Sequence, residues 1–315
     1  MNLGKKIDVL VSEVGPRDGL QSLKSVMPTE VKKAWIQAQF EAGTQEIEVG
    51  SFVSPKILPQ LADTPEIVAF AKSLDGLHVG ALVPNLKGLR NAVEAGVDKI
   101  SIPFSVSETH SLHNLRRSHQ QMFDEIRWCI EYLETLPKHI RPDFEVGLST
   151  AFGCALEGKV PAKKVIGIAE KVVELGVDEV CLSDTAGSGN PNQLKGLAEG
   201  IWRNCGREKL TGVHLHNTRG QGLANALMAV QLGISTIDSS LGGIGGCPFS
   251  PGASGNIVTE DLVFMLESMG LNTGIDIEAL LLVRDIIKHA LPHEELFGFT
   301  SESGLPLGFR SAPRC

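Results

Sequence analysis

EAGTQEIEV (41–49), EAGVDKISI (94–102), ELGVDEVCL (174–182) and QLGISTIDS (231–239) are variants of one phrase set four times along the chain. Each closes a helical stretch, passes through a glycine and enters a short β-branched run. Gly43, Gly96, Gly176 and Gly233 read as helix C-terminal residues in the left-handed conformation, and the runs after them read as buried parallel strands. The phrase therefore marks four helix-to-strand joints.

Working outward from these joints, strands are expected at about Val9–Glu13, Glu46–Val49, His78–Val83, Lys99–Pro103, Phe144–Ser149, Glu179–Ser183, Gly212–His216 and Thr236–Ser239. Amphipathic stretches at Thr29–Ala42, Pro65–Leu74, Leu86–Ala95, Ser118–Leu136, Pro161–Leu175, Asn192–Asn204 and Gly222–Leu232 alternate with them. Eight strand–helix units in 315 residues average about 39 each, which suits an α/β chain folded as a (β/α)8 TIM barrel. A doubly wound open sheet is the structural alternative. After the last strand come a glycine-rich loop, helices at Glu260–Met269 and Ile277–Leu291, and an irregular tail from about Pro292. No Pro/Ser linker divides the chain, so one catalytic domain over 1–315 is expected, with the barrel at about 8–291 and the tail at about 292–315.

Composition narrows the function. With 29 Lys+Arg against 37 Asp+Glu, the net charge is −8 and no basic run occurs, which argues against a nucleic-acid partner. No segment approaches the length of a membrane span, nor does the N-terminus resemble a secretion signal. The six cysteines form no CxxC pair. That pattern speaks against a disulfide framework or thiolate zinc, and reduced thiols in a cytoplasmic protein are expected.

In such barrels functional groups sit at the C-terminal ends of the strands. The first strand runs into Gly15-Pro16-Arg17-Asp18-Gly19, the second carries Glu48, the sixth ends in Ser183-Asp184-Thr185 and the seventh in His214-Leu215-His216-Asn217. His214 and His216 lie two apart, so both rings project to one face of a strand. They read either as a metal pair or as one core and one solvated histidine, and nearby Asp18 favours the metal. Histidine and carboxylate ligands with open positions suit an octahedral divalent cation such as Mg²⁺ or Mn²⁺. Arg17 could stabilise a developing oxyanion, or form an ion pair with Asp18 that holds a turn. Glu48 and Asp184 could orient these groups or serve as structural carboxylates. Cys247 lies in GGIGGCPFSPGASGN (242–256), read as a mobile lid carrying a proton-donating thiol or as a loop with a small buried cysteine. Asn256 offers a carbonyl oxygen to a metal shell. No Walker loop or dinucleotide fingerprint is present.

GPRDGLQ (15–21), SFVSPK (51–56), PNLKG (84–88), the histidine pair, GGCPF (245–249), GASGN (252–256) and TEDL (259–262) together resemble the 3-hydroxy-3-methylglutaryl-CoA lyase family of the DRE-TIM metallolyase superfamily. The resemblance spans about Val11 to Leu291. It implies cleavage of a short 3-hydroxyacyl-CoA to acetyl-CoA and a keto acid, with CoA entering as part of the substrate. By resemblance, Asp18, His214, His216 and Asn256 hold the divalent cation, Arg17 stabilises the enolate of the departing acetyl-CoA, and Cys247 takes part in proton transfer. Glu48, Asp184 and Glu260 match supporting positions, and Lys24 loosely matches a CoA contact. The base that takes the hydroxyl proton is left open between His214, Asp18 and water. A homodimer is implied as well.

Three departures from the family pattern bear on the acyl group. The chain has Asn217-Thr218-Arg219-Gly220 after the histidine pair, Ser183 ahead of Asp184, and a His- and Arg-rich segment at 105–122. Arg219 could meet a substrate carboxylate or a surface glutamate. A lyase for citramalyl-CoA or a longer branched homologue is thus the main alternative, ahead of a condensing synthase of the same superfamily and a non-catalytic acyl-CoA binder.

Overall fold

The structure is a computed structural model and describes residues 7–245 and 255–313. In chain order its elements are β1 (Leu10–Glu13), α1 (Thr29–Glu41), β2 (Glu46–Ser51), α2 (Thr64–Ala71), β3 (His78–Leu82), α3 (Leu86–Ala95), β4 (Lys99–Ser105), α4 (Glu108–Asn114), α5 (His119–Glu134), β5 (Asp143–Ser149), α6 (Ala162–Glu174), β6 (Glu179–Asp184), α7 (Pro191–Cys205), β7 (Gly212–Leu215), α8 (Gly222–Leu232), β8 (Thr236–Ser239), α9 (Thr259–Ser268), α10 (Ile277–Ala290) and α11 (Phe299–Ser303). The strands pair in parallel in sequence order and β8 returns to β1, closing the barrel and excluding an open sheet. The four glycines of the repeated phrase all have positive φ, between 82° and 105°. At Gly43 a side chain is also excluded by packing, since a Cβ would lie 2.4 Å from the Gly274 carbonyl oxygen.

Strand alternation sorts the side chains into two layers. Ile47, Ile100, Val146, Leu182, Val213 and Ile237 are fully buried in the apolar core between sheet and helices. Their neighbours point inward, where a barrel usually packs bulky aliphatic residues. Here the interior is charged instead. Lys99 Nζ lies 2.9 Å from Glu145, 3.3 Å from Glu179 and 3.7 Å from Glu46, whose other oxygen meets His78 Nδ1 at 2.9 Å.

Burial alone would raise the pKa of Glu46, but Lys99 and His78 outweigh it and bring the carboxyl from 4.5 to about 2. The unfolded chain then binds more protons than the native one between those values, so this stability is present above pH 4.5 and lost as pH falls toward 2. We expect Glu46→Gln to cost about 3 kcal/mol at pH 7. Urea melts should show the gap between wild type and variant narrowing below pH 4.5, whereas a gap independent of pH would contradict the assignment.

At the C-terminus α10 packs on α1, while α9 lies against β1 and α11. The tail, expected to be irregular, contains the short helix α11. The reason is a cap from far away in sequence: Asp261 accepts hydrogen bonds from the Phe299 and Thr300 amides at 3.0 and 2.7 Å. Among the described residues no helix is long and apolar enough to cross a membrane.

Candidate active site

β1 delivers the chain into a π-type turn over Gly15–Gly19, in which the Asp18 and Gly19 amides both donate to the Val14 carbonyl. Such turns are rare and cluster at functional sites. A fully buried carboxylate, Glu13, holds this one in place. One of its oxygens accepts from the Gly15 and Leu241 amides, the other from Gln39 and Thr259. β1, α1, α9 and the loop after β8 are thereby tied at one point. Gly15 is obligatory here, because a Cβ would lie 2.4 Å from Glu13 Oε1.

The turn buries Arg17 with its fork spread between two carboxylates. Nε donates to Glu48, and Nη1 donates to Asp18 Oδ1 at 2.6 Å. Glu48 is itself fixed by Ser101 Oγ at 2.6 Å. Burial opposes the charge on Arg17, but Glu48 and Asp18 more than restore it and raise the pKa. Nη2 has no hydrogen-bond partner among the described residues.

β7 sets His214 and His216 on one face, as the two-residue spacing requires, with their Nε2 atoms 3.1 Å apart. Asp18 Oδ2 lies 3.8 Å from the first and 3.9 Å from the second. The two rings differ electrostatically. Burial disfavours the His214 cation, but Asp238 at 3.1 Å from Nδ1 and Asp18 outweigh it, so its pKa is raised. Among the described residues His216 has no carboxylate on its Nδ1, and burial together with His214 outweighs Asp18 and lowers it to about 4. Burial would likewise raise Asp18, but Arg17 and the two histidines hold it at about 2, ionised at any physiological pH.

Asn256 is brought to the site by pairing of 255–257 antiparallel to 215–217. The Asn217 amide donates to the Gly255 carbonyl, and the Ile257 amide to that of Leu215. Its amide nitrogen is spent on Asp18 Oδ2 at 2.8 Å and the Ile244 carbonyl at 3.1 Å. Its Oδ1 is buried without a partner. Gly245 makes this approach possible, since a Cβ there would lie 2.5 Å from Asn256 Nδ2.

These atoms fit a divalent cation. Ligand atoms of Asp18, His214 and His216 lie within 4.8 Å of one another, and the orphaned Asn256 oxygen offers a further neutral donor. A buried acceptor left unpaired is costly, and two imidazole nitrogens facing each other need a proton or a cation between them. The donor set, two nitrogens and two oxygens with no thiolate, suits a divalent cation with mixed imidazole and oxygen ligands. A cavity of about 750 Å³ opens over Arg17, Asp18, Glu48, His214 and His216, within the size range of small-molecule sites.

The other residues singled out in the sequence lie elsewhere. Asp184 turns toward its own loop, its oxygens accepting from the Ser188 and Gly189 amides at 2.9 and 2.8 Å. Glu260 holds the loop after β8 through the Gly242 amide and Arg284. Lys24 is exposed and does not line the cavity. Arg219 meets neither a glutamate nor the cavity wall: its Nη1 donates to the Ala186 and Gly187 carbonyls at 2.8 and 3.2 Å. Cys247 falls outside the described residues. Sequence reading passed over Glu13 and Asp238. Asp238 is the register partner of His214, and its acidic side chain within the β-branched TIDS run was the available signal.

The chain is similar to known proteins over most of its length. The HMGL-like family model matches residues 8–287. The mitochondrial hydroxymethylglutaryl-CoA lyase of Mus musculus is 41% identical over 90% of this chain and 86% of its own length. An HMG-CoA lyase from Acinetobacter baumannii, solved with coenzyme A and 3-methylmalate, superposes with a TM-score of 0.88 at 38% identity, covering 99% of this chain and 100% of that one. The Bacillus subtilis HMG-CoA lyase gives the same TM-score at 36% identity, over 96% of this chain and 99% of its own. On its barrel, its clustered site and these matches, the chain belongs to the HMG-CoA lyase family of the DRE-TIM superfamily and is a carbon–carbon lyase.

Proposed function

We propose that this protein cleaves 3-hydroxy-3-methylglutaryl-CoA to acetyl-CoA and acetoacetate, using Mg²⁺ or Mn²⁺ held by Asp18, His214, His216 and Asn256. The observation that carries the reading is the convergence of Asp18 and both histidines beside the orphaned Asn256 oxygen, with a pinned Arg17 in the same cavity. When bound, the cation would acidify a substrate hydroxyl and orient the oxygens near it.

The chain supplies the remaining chemistry. Transfer of the C3 hydroxyl proton to a base, His214 or a water molecule, lets the C2–C3 bond break, so that C3 becomes the ketone of acetoacetate and the electron pair passes to C2 and the thioester oxygen. The free Nη2 of Arg17 is the donor suited to that oxyanion, because Glu48 and Asp18 fix the guanidinium before charge develops. Asp18, ionised and engaged by Arg17, serves as ligand and anchor and makes a poor base. Asp238 fixes the His214 ring through Nδ1 and directs Nε2 into the cluster. Delivery of a proton to C2 is assigned to Cys247. Asp184 and Glu260 shape the loops around the mouth.

With Arg219 bound to backbone carbonyls, nothing in that departure adds a charge to the cavity, which favours the methylglutaryl substrate over citramalyl-CoA. A steady-state comparison of the two should give at least about tenfold higher kcat/KM for the methylglutaryl thioester, the scale on which one changed pocket contact discriminates. Faster turnover of citramalyl-CoA would reassign the substrate. A homodimer belongs to the same reading, supported by the exposed apolar side chains of Leu282, Phe299 and Leu307. So does a cytoplasmic setting, with which the free thiols of Cys129, Cys154, Cys181 and Cys205 agree.

A further inference from the structure

Among the described residues only Arg116 and Thr150 combine a side chain with a positive φ, 54° and 60°. A left-handed non-glycine residue costs about 1–2 kcal/mol, so each calls for a reason. Thr150 has one within the chain. Its hydroxyl accepts from the Ser107 amide at 3.0 Å while its own amide donates to Thr185, so it stitches β5 to the start of α4 and to the loop after β6. Arg116 has none. It follows α4 and its C-terminal residue Leu115, at the position where helices ordinarily place glycine. The backbone there is forced from both sides. The Leu115 amide is bonded to Ser111, whose hydroxyl donates to the Arg117 carbonyl, and the Arg117 side chain is pinned by the Pro84 carbonyl and Glu125.

Of the two adjacent arginines, then, Arg117 works for the fold, while Arg116 is exposed and no described residue pairs with its guanidinium. Arg116 nevertheless lines the cavity that holds Arg17 and the histidine pair, together with His113 and Asn114 of α4. The same cavity is also bordered by Ile57, which is 76% exposed, and Leu58. A mouth with an apolar rim and one unpaired, strained cation matches a ligand with a long, weakly polar arm ending in phosphates.

We propose that Arg116 is a specificity residue that grips the phosphates of the CoA moiety. The inference rests on the acyl-CoA reading above and adds to it the residue that recognises the distal end of the carrier. The site uses the strained backbone to aim a planar donor fork, which a phosphate accepts in bidentate fashion.

Two measurements test it. Calorimetric titration of metal-free protein with CoA and with pantetheine, which lacks the phosphates, should show wild type binding CoA more tightly and Arg116→Gly losing that preference. A charge-assisted contact of this kind corresponds to about tenfold or more in affinity. The same variant should melt no lower than wild type, because glycine relieves the strained φ, and Arg116→Lys should recover part of the preference. In turnover, the KM ratio between the CoA and pantetheine thioesters of 3-hydroxy-3-methylglutarate should collapse toward one in Arg116→Gly. An unchanged preference would overturn the inference, as would an equal rise in both KM values, which would put the contact on the acyl carboxylate. Because free CoA binds without turnover, a protein that cleaves nothing but still holds CoA through Arg116 would sink the lyase reading alone.

Discussion

His216→Ala is expected to lower kcat/KM by about a thousandfold or more and to abolish the rise in melting temperature that Mn²⁺ gives the wild-type protein. The ring sits 3.1 Å from its partner imidazole and 3.9 Å from Asp18, so its removal opens one side of the only three-residue ligand cluster found among the described residues. A bound divalent cation contributes several kcal/mol of transition-state stabilisation, which sets the scale of the loss. The fold should survive, because the ring is neutral near pH 7, its pKa being lowered to about 4, and no opposite charge is left stranded. Calorimetric titration with Mn²⁺ provides the second readout. Wild-type metal affinity in the variant would move the cation elsewhere and break the assignment.

Arg17→Gln should cut kcat by about 10²–10³-fold, the usual cost of removing one donor from a developing oxyanion. Here metal binding should persist, since Asp18, both histidines and Asn256 remain. That contrast separates the two variants: one loses the cation, the other loses the charge facing the enolate. The substitution also leaves Glu48 and Asp18 without their shared cation, and breaking a buried pair costs about 3–5 kcal/mol. Arg17→Lys is therefore the companion variant. It keeps the charge but cannot serve Glu48, Asp18 and the substrate at once through one planar fork, so a large kcat loss in a stably folded protein is expected. Full activity in Arg17→Lys would show that the fork geometry is not needed.

Much of this architecture was legible in the sequence because it is repetitive and local. The glycine before each β-branched run sets a left-handed joint, and the two-residue spacing of His214 and His216 sets a shared face. Elements of other kinds were not. α4 is short, and its ETHSLHN segment carries no apolar stripe; it forms because Ser107 caps it through the His110 amide. α11 depends on Asp261, 38 residues upstream of Phe299. Asp184 stood at a strand end with the same pattern as Glu48, yet one carboxylate folds back on its own loop and the other reaches Arg17. Strand position alone does not say which. The charged barrel interior around Lys99 arises from four strands contributing one residue each, a convergence invisible until the barrel closes.

The measurement that bears most directly on the central claim is product analysis of metal-stripped protein incubated with 3-hydroxy-3-methylglutaryl-CoA, before and after addition of Mg²⁺ or Mn²⁺. The account predicts no turnover in the stripped protein, then acetyl-CoA and acetoacetate in equal amounts once the cation is restored. Equal cleavage without a divalent cation would contradict it, as would release of free CoA from acetyl-CoA and a 2-oxo acid in place of thioester cleavage.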